Sequence, residues 1–447
     1  MKAIKVPESP PALKDVLSEI SADRLGSVFS LMVSELGLNK GRYLHWDDIR
    51  WRKPPEGFSR EEWWAALRLS RDSQSKKVPL LDLQGRSFGF VPTAPLLQET
   101  QREIDLTAGG SIVLPAEVTN SQTKDRYIFD SLAAEAITSS QLEGASTTRE
   151  VAKEMLRTNT APRDRSERMI VNNFRAMQEI SQLRHDKLSM EFLFHLHRIV
   201  TDGTLDRADA VGRFRTSEEK IYIGDDCGQT YHTPPPASEL PHRMQSLLDF
   251  ANGDGQGDFI HPVLRSIILH FWLAYDHPFV DGNGRTARAL FYWSMLHHGL
   301  WLFEFVSISE AIYKAPVKYY RSFLHTETDS NDLTYFIILQ VDYIRSAIRQ
   351  LHDYIRSKAE QTRRAQEQLK ASQGLNHRQL ALLSHALRHP GASYTFESHR
   401  TSHGVAYLTS RSDLQDLEKK GYLRRTNRGN TATFQPVDNL SAVRPSL

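Results

Sequence analysis

The chain has 447 residues, 40% hydrophobic and 25% charged, a balance that fits a soluble globular protein of two to three domains. Its 56 basic and 54 acidic side chains leave a net charge of +2, so the whole molecule is not a polyanion binder, though one part of it can be. The single cysteine, Cys227, excludes an internal disulfide framework and a cysteine-based zinc site, and it fits a reducing cytoplasm.

The first residues (MKAIKVPESP) lack an apolar signal core. The longest apolar run, 263–275, contains Arg265 and His270 and is too short to span a bilayer. A cytoplasmic protein without a membrane partner is therefore expected. Residues 1–23 are rich in proline and charge and are expected to be loosely held. From Arg24 the pattern is helical (LGSVFSLMVSEL) and ends near Gly37. Pro54 and Pro55 break the chain, and Ser59-Arg60-Glu61-Glu62 reads as a capping box opening a helix with Trp63, Trp64 and Leu67 on its apolar stripe. With Trp46 and Trp51 these tryptophans are expected to form the core of a small domain. Residues 80–91 alternate weakly, which fits a hairpin or an edge contact.

Thr107 to Gly110 (TAGG) marks a boundary. Residues 125–137 are helical and lead into Ser139-Ser140-Gln141-Leu142-Glu143-Gly144. Ser139 and Glu143 are four apart and share a helix face, and Gly144 suits the position just past a helix end. Residues 166–183, 190–200 and 240–250 read as further helices. Between the last two, the alternation around Ile221 and Ile223, with Gly224 and the Gly–Asp turns, reads as a β-hairpin with Cys227 at its tip.

The centre of the chain is His277-Pro278-Phe279-Val280-Asp281-Gly282-Asn283-Gly284-Arg285-Thr286-Ala287-Arg288. Apolar runs at 263–275 and 287–296 flank it, and Pro278 with the Gly-Asn-Gly core breaks the pattern, which predicts a tight loop between two buried helices. Gly282 and Gly284 let backbone N–H groups approach a ligand. The second helix begins at about 283–286, so its positive end faces the same point. Arg285 and Arg288, three apart on its first turn, oppose the helix dipole unless an anion is bound. Together these features describe a polyphosphate cradle. Asp281 is a hard oxygen ligand suited to Mg²⁺, and His277 can take a proton near pH 7. Phe279 is expected to anchor the loop in the core.

This stretch resembles the signature of the Fic (Fido) family, His-Pro-Phe-x-Asp/Glu-Gly-Asn-Gly/Lys-Arg-x-x-Arg, at every specified position. The resemblance covers roughly residues 125–345. It implies transfer of AMP from ATP to a hydroxyl of a target protein, with His277 as base and Asp281 on Mg²⁺. It also implies Gly282, Asn283 and Gly284 at the α-phosphate, Arg285 and Arg288 on the outer phosphates, and Thr286 within the same nucleotide-binding stretch. Doc-type relatives carry lysine where Gly284 stands, which favours AMP transfer. Ser139, Glu143 and Gly144 match the family's inhibitory motif, and the resemblance implies that Glu143 pairs with Arg288. The hairpin takes the place of the family's flap, which clamps a target segment, and Ile223 and Gly224 are counted with the nucleotide site. Tyr319 and Tyr320 match loosely the tyrosines that contact the nucleoside.

Residues 340–369 read as a long charged helix. Beyond Asn376, helices at 377–389, 396–403 and 406–420 precede a basic segment, 422–434, that reads as a wing with its turn at 428–430. This is a winged-helix pattern. Thr409, Ser410 and Arg411 would face the groove of DNA, and Arg424, Arg425 and Arg428 its phosphates. The expected fold is mainly α: a Fic helical core with a β-hairpin flap, a small N-terminal domain and a C-terminal winged helix-turn-helix domain. The expected boundaries are 1–110, 111–350, a helical linker 351–374, and 375–447. The expected function is a protein adenylyltransferase using ATP and Mg²⁺ and held back by Glu143. Its partners are a target protein, which can be the chain itself, DNA through the last domain, and a second copy as a homodimer. The alternatives are a DNA-binding regulator whose core senses nucleotide, and an enzyme that removes AMP.

Overall fold

The two apolar runs beside the glycine-rich loop fold as the helices Pro262–Asp276 and Asn283–His297, buried on nearly every face and packed on one another. Pro262 stands at the first turn of the earlier helix, where its missing N–H has no partner to lose. The helices Arg165–Gln182, Met190–Thr201 and Leu240–Asn252 pack around this pair. Asp164 and Ser189 cap the first two by accepting the N–H of Glu167 and Phe192. The computed structural model describes residues 4–35, 37–39, 41–92, 102, 104, 121–253, 259–371, 374–388, 392–428, 431–437 and 440. The boundary expected at 107–110 and the wing's turn residues Gly429 and Asn430 lie outside the described residues.

The chain divides into two compact units. The first comprises Met1–Ile112 and Ser131–Ala347, and the second Val113–Asp130 and Ile348–Leu447. In the first unit, the helices Leu13–Glu19, Ala22–Glu35, Trp46–Ile49 and Arg60–Gln74 precede a hairpin of Lys76–Leu81 and Ser87–Phe90. Trp46, Trp63 and Trp64 share a core with Val28, Ile49 and Leu67, whereas Trp51 is 75% exposed. The capping box is complete: Ser59 Oγ accepts from Glu62 N, and Ser59 N donates to Glu62 Oε2. Residues 4–23 depart from the expectation of a loose segment over 1–23. Leu13–Glu19 is helical, Ile4 and Pro7 are buried, and Glu8 N donates to Asp47 Oδ1. Charge and proline do not prevent this, because Ile4, Pro7 and Val16 are buried and Glu8 pairs with Arg50.

The hairpin edge is continued by the central part of the chain. Gly89 N donates to Asn331 O, Leu333 N to Gly89 O, and Val91 N to Thr334 Oγ1. The buried Arg71 adds hydrogen bonds to Gly37 O and Tyr335 Oη. A second hairpin pairs Ile223–Gly224 with Thr230–His232 in antiparallel register, and Cys227 is exposed between them. The helix Ser121–Leu142 belongs to the first unit from Ser131 onward, and Thr334–Ala371 belongs to it up to Ala347.

The second unit holds the helices His377–Arg388, Phe396–His403 and Tyr407–Lys419. Its antiparallel sheet places Thr431–Pro436 between Tyr394–Thr395 and Leu423–Arg428. Leu383, Leu414, Leu417, Tyr422 and Phe434 fill the core. The strand Tyr394–Thr395 was not legible as a strand: two residues carry no alternation, and only the pairing of Tyr394 with Phe434 defines it. No helix among the described residues is long and apolar enough to cross a membrane.

Candidate active site

The loop between the two central helices is held from beneath. Phe279 is fully buried and lies flat on His197, with ring centroids 3.8 Å apart. His197 Nδ1 accepts the N–H of Gly212, which leaves Nε2 as the protonated nitrogen, donating to Asp281 O at 3.0 Å. Burial holds His197 neutral, with its pKa down to about 4. Asn283 closes the turn through its side chain: Oδ1 accepts from Phe279 N, and Nδ2 donates to Phe279 O. Thr286 Oγ1 donates to Gly282 O. Asn283 and Thr286 are thus buried and shape the backbone that the sequence assigned to phosphate. Gly282 has φ of +82°, and a Cβ there would lie 2.6 Å from Thr201 Cγ2. Both the conformation and the space require glycine.

His277 ends the first helix in the left-handed region, at φ 47° and ψ 56°. For a residue with a Cβ this costs roughly 1–2 kcal/mol, so surrounding contacts must hold it. Arg215 supplies them. Its N–H donates to Pro278 O, its Nε to His277 O, and its Nη2 to Pro235 O at the end of the second hairpin. Asp276, fully buried, takes two hydrogen bonds from Arg243 and one from Trp272. The His277 ring is half-buried with Nδ1 3.2 Å from Ala274 O. A carbonyl only accepts, so Nδ1 carries the proton and Nε2 is the basic nitrogen. Burial pushes this histidine down to about 4, against the Ala274 carbonyl, which favours the charged form.

His277, Glu143, Gly284 and Arg288 line one cavity of about 200 Å³. Its walls also include Ile4, Ile223, Tyr231, His232, Tyr319, Tyr320 and Phe323. Arg288 is 2% exposed. Its Nε donates to Ser139 Oγ, and Nη2 donates to Ser139 O and to Glu143 Oε1 at 2.8 Å. Burial opposes its charge, and Glu143 outweighs that opposition, so its pKa is raised. Glu143 stands one residue past the end of the helix Ser121–Leu142, and Gly144 turns the chain away at φ +94°. Arg285 is equally buried, donates to Val200 O, and sits 3.6 Å from Asp281. Burial pushes its pKa down, and its Nε has no hydrogen-bond partner. Asp281 is 44% exposed, with Arg165 also 3.6 Å away. Asp281 and Arg285 stand outside the cavity lining.

On the hairpin, Ile223 lines the cavity and Gly224 does not. Tyr319 and Tyr320 line it, and Tyr319 Oη is 2.9 Å from His270 Nε2. Burial raises both phenols, that of Tyr320 to about 12. Sequence reasoning missed His232: Nδ1 faces Glu327 Oε2 and Nε2 faces Tyr275 O, both at 2.8 Å. Two acceptors require both ring nitrogens to donate, which only the imidazolium does. Burial opposes that charge, but the Glu327 hydrogen bond prevails and the pKa is raised. Sequence reasoning also missed the roles of Arg215 and His197. The run Gly212-Arg213-Phe214-Arg215 was visible, yet nothing local distinguishes Arg215 from Arg213. Ile4 was unexpected as well; its N–H donates to Tyr231 Oη at 2.7 Å.

A family model described as Fic/DOC family matches residues 187–295. The chain is 35% identical over 115 residues to protein adenylyltransferase fic-1 of Caenorhabditis elegans, covering 26% of this chain and 20% of that protein. It is 34% identical over 104 residues to protein adenylyltransferase Fic of Drosophila grimshawi, covering 23% and 19%. The matches thus span about a fifth of the length of these curated relatives. A Fic family protein from Desulfovibrio desulfuricans G20 superposes with a TM-score of 0.50 at 20% identity, covering 77% of this chain and 97% of that one, a likeness of fold. The matched segment contains His277, Arg288 and the loop between them, and on that ground residues 187–295 are a Fic/DOC family domain.

Proposed function

We propose that this chain transfers AMP from ATP to a hydroxyl side chain of a protein, and that Glu143 restrains the reaction. The observation that carries the reading is the shared cavity: a neutral histidine with a basic Nε2, a helix N-terminus and a buried arginine line one space. A target hydroxyl entering beside His277 would give its proton to Nε2 as its oxygen attacks the α-phosphorus. Nδ1 holds the ring through Ala274, so the proton has one place to go. The free N–H groups at the start of the helix Asn283–His297 suit the negative charge that develops on the phosphoryl oxygens. Arg288 suits the outer phosphates once Glu143 has left it. Pyrophosphate is then the leaving group.

Mg²⁺ fits the residues present through Asp281. No group of three or more potential ligand side chains occurs among the described residues, and Asp281 offers a half-exposed carboxylate at the loop. That is the donor set of an ion that takes its other ligands from water and phosphate. When bound, the ion would offset phosphate charge. The decisive experiment is incubation with labelled ATP, comparing the natural chain with Glu143→Gly. Label incorporated faster into protein by the variant supports the reading, and label released from pre-modified protein supports AMP removal.

A second reading concerns the second unit, as a winged-helix DNA-binding domain. Three helices with a three-stranded antiparallel sheet support it, together with exposed Arg411, Arg424 and Arg425. Ser410, expected at the groove, is instead buried, with Oγ donating to Phe396 O. A gel shift titrated with salt tests this reading, because phosphate contacts give a steep dependence.

A further inference from the structure

Gly284 is the second residue of the helix Asn283–His297 and its φ is not positive. Its backbone is one that alanine adopts at lower free energy, by about 1 kcal/mol in a helix interior. Conformation therefore does not explain glycine here. Space does. A Cβ at Gly284 would stand 2.1 Å from Glu143 Oε1, 3.0 Å from Glu143 Cδ and 3.2 Å from Arg288 Nη1. The first distance is well inside van der Waals contact, and the atom met is the very oxygen that accepts from Arg288 Nη2. The bare α-carbon of Gly284 is thus the floor on which the Glu143 carboxylate rests while it pairs with Arg288.

We propose that Gly284 is a positioning residue for the restraint: a side chain at 284 and a docked Glu143 exclude one another. The inference rests on the reading of Glu143 as a restraint and adds a residue through which that restraint acts. Nothing else at the site yields as readily. Arg288 is fixed by Ser139 Oγ and Ser139 O, and the helix backbone by its own ladder. The far end of Glu143, 30% exposed, is the group free to move. A methyl group at 284 would turn the carboxylate out toward solvent and leave Arg288 on Ser139 alone. The effect would be that of deleting the carboxylate, without changing residue 143.

The test is a double-mutant cycle on the full chain between Gly284→Ala and Glu143→Gly, read by melting temperature and by labelled-ATP transfer. For stability, Gly284→Ala should raise the melting temperature in the Glu143→Gly background through helix propensity, and raise it less or lower it in the natural background. For transfer, Gly284→Ala alone should activate by about tenfold, within the range seen when a coupling between two sites is removed. Added to Glu143→Gly, it should bring no further activation, because the carboxylate it would displace is already gone and coupled sites do not add. Equal melting shifts in the two backgrounds would overturn the proposal whether or not any variant transfers AMP. Loss of transfer in both backgrounds would also overturn it, assigning the glycine to phosphate approach instead. If Glu143→Gly is itself inactive while the melting shifts still differ, the seat stands and the transfer reading falls.

Discussion

Arg288 and Glu143 are 145 positions apart, and Nη2 of one meets Oε1 of the other at 2.8 Å. The arginine is almost fully buried and the carboxylate is 30% exposed. An arginine is always charged, so without an anion it stands uncompensated in the cavity wall. Removing the carboxylate therefore has two opposite consequences. Glu143→Gly should melt lower without nucleotide, by about 1–3 kcal/mol of stability, less than for a fully buried pair. It should also gain more from added Mg·ATP and modify protein faster. Calorimetry with and without nucleotide, beside a transfer assay, checks both. A folded variant no faster than the natural chain would refute the restraint.

His277→Ala should retain ATP binding and lose transfer by roughly 10²–10⁴-fold, the range for a lost general base. The backbone of the loop is held by Arg215, His197 and Asn283 rather than by the His277 ring, so binding has no reason to fail. Calorimetric titration of nucleotide separates the two effects. Transfer at a near-natural rate would remove His277 from the mechanism.

Asp281→Ala should shift the Mg²⁺ concentration needed for half-maximal transfer upward, with a modest fall in melting temperature because the half-exposed carboxylate is a counter-charge 3.6 Å from the buried Arg285. Arg285→Ala should differ: its side chain is buried and bonded to Val200 O, so stability falls along with activity. An unchanged Mg²⁺ dependence in Asp281→Ala would show that the ion is held elsewhere.

The pH dependence follows from the buried histidines. His277 and His197 lie near 4, and His270 near 3, all lowered chiefly by burial. Their unfolded value is about 6.5. Between 6.5 and 4 the unfolded chain binds more protons than the folded one, so stability rises with pH across that window and is lost as pH falls through it. His232, raised by Glu327, has the opposite sign and loses its contribution as pH rises. His45, His298, His325 and His403 are lowered as well, so among the described residues seven lowered histidines stand against one raised one, and the melting temperature should fall from pH 7 to pH 5. With His277 neutral above about pH 5, the rate of Glu143→Gly should show no inflection near 6.5 from its base. Rate and melting profiles across pH 5–8 test both statements.

A chain ending at Ser372 should still modify itself, because every residue that lines the cavity belongs to the first unit. A folded truncation with no transfer would show that the second unit takes part in catalysis.

The features legible from residue pattern alone are local. Two long apolar runs, Pro278 and a Gly-Asn-Gly core were enough to specify buried helices with a tight turn between them, because helix periodicity and chain breaking act over a few residues. Ser59 and Glu62 form their capping box for the same reason. The spacing of Ser139 and Glu143 placed both near one helix end, but only the family resemblance suggested Arg288 as their partner. The tertiary structure decided what lies across the chain. It put His197 beneath Phe279, Arg215 on the carbonyls of His277 and Pro278, and a charged His232 between Glu327 and Tyr275. It carried Ile4 from a segment expected to be loose into the cavity wall, and it turned Ser410 inward. It also brought the α-carbon of Gly284 up against a carboxylate 141 positions away, so that a Cβ there would lie 2.1 Å from Glu143 Oε1. These contacts depend on how the helices pack, and a pattern with a period of a few residues says which face of a helix is buried without saying which residue will face it.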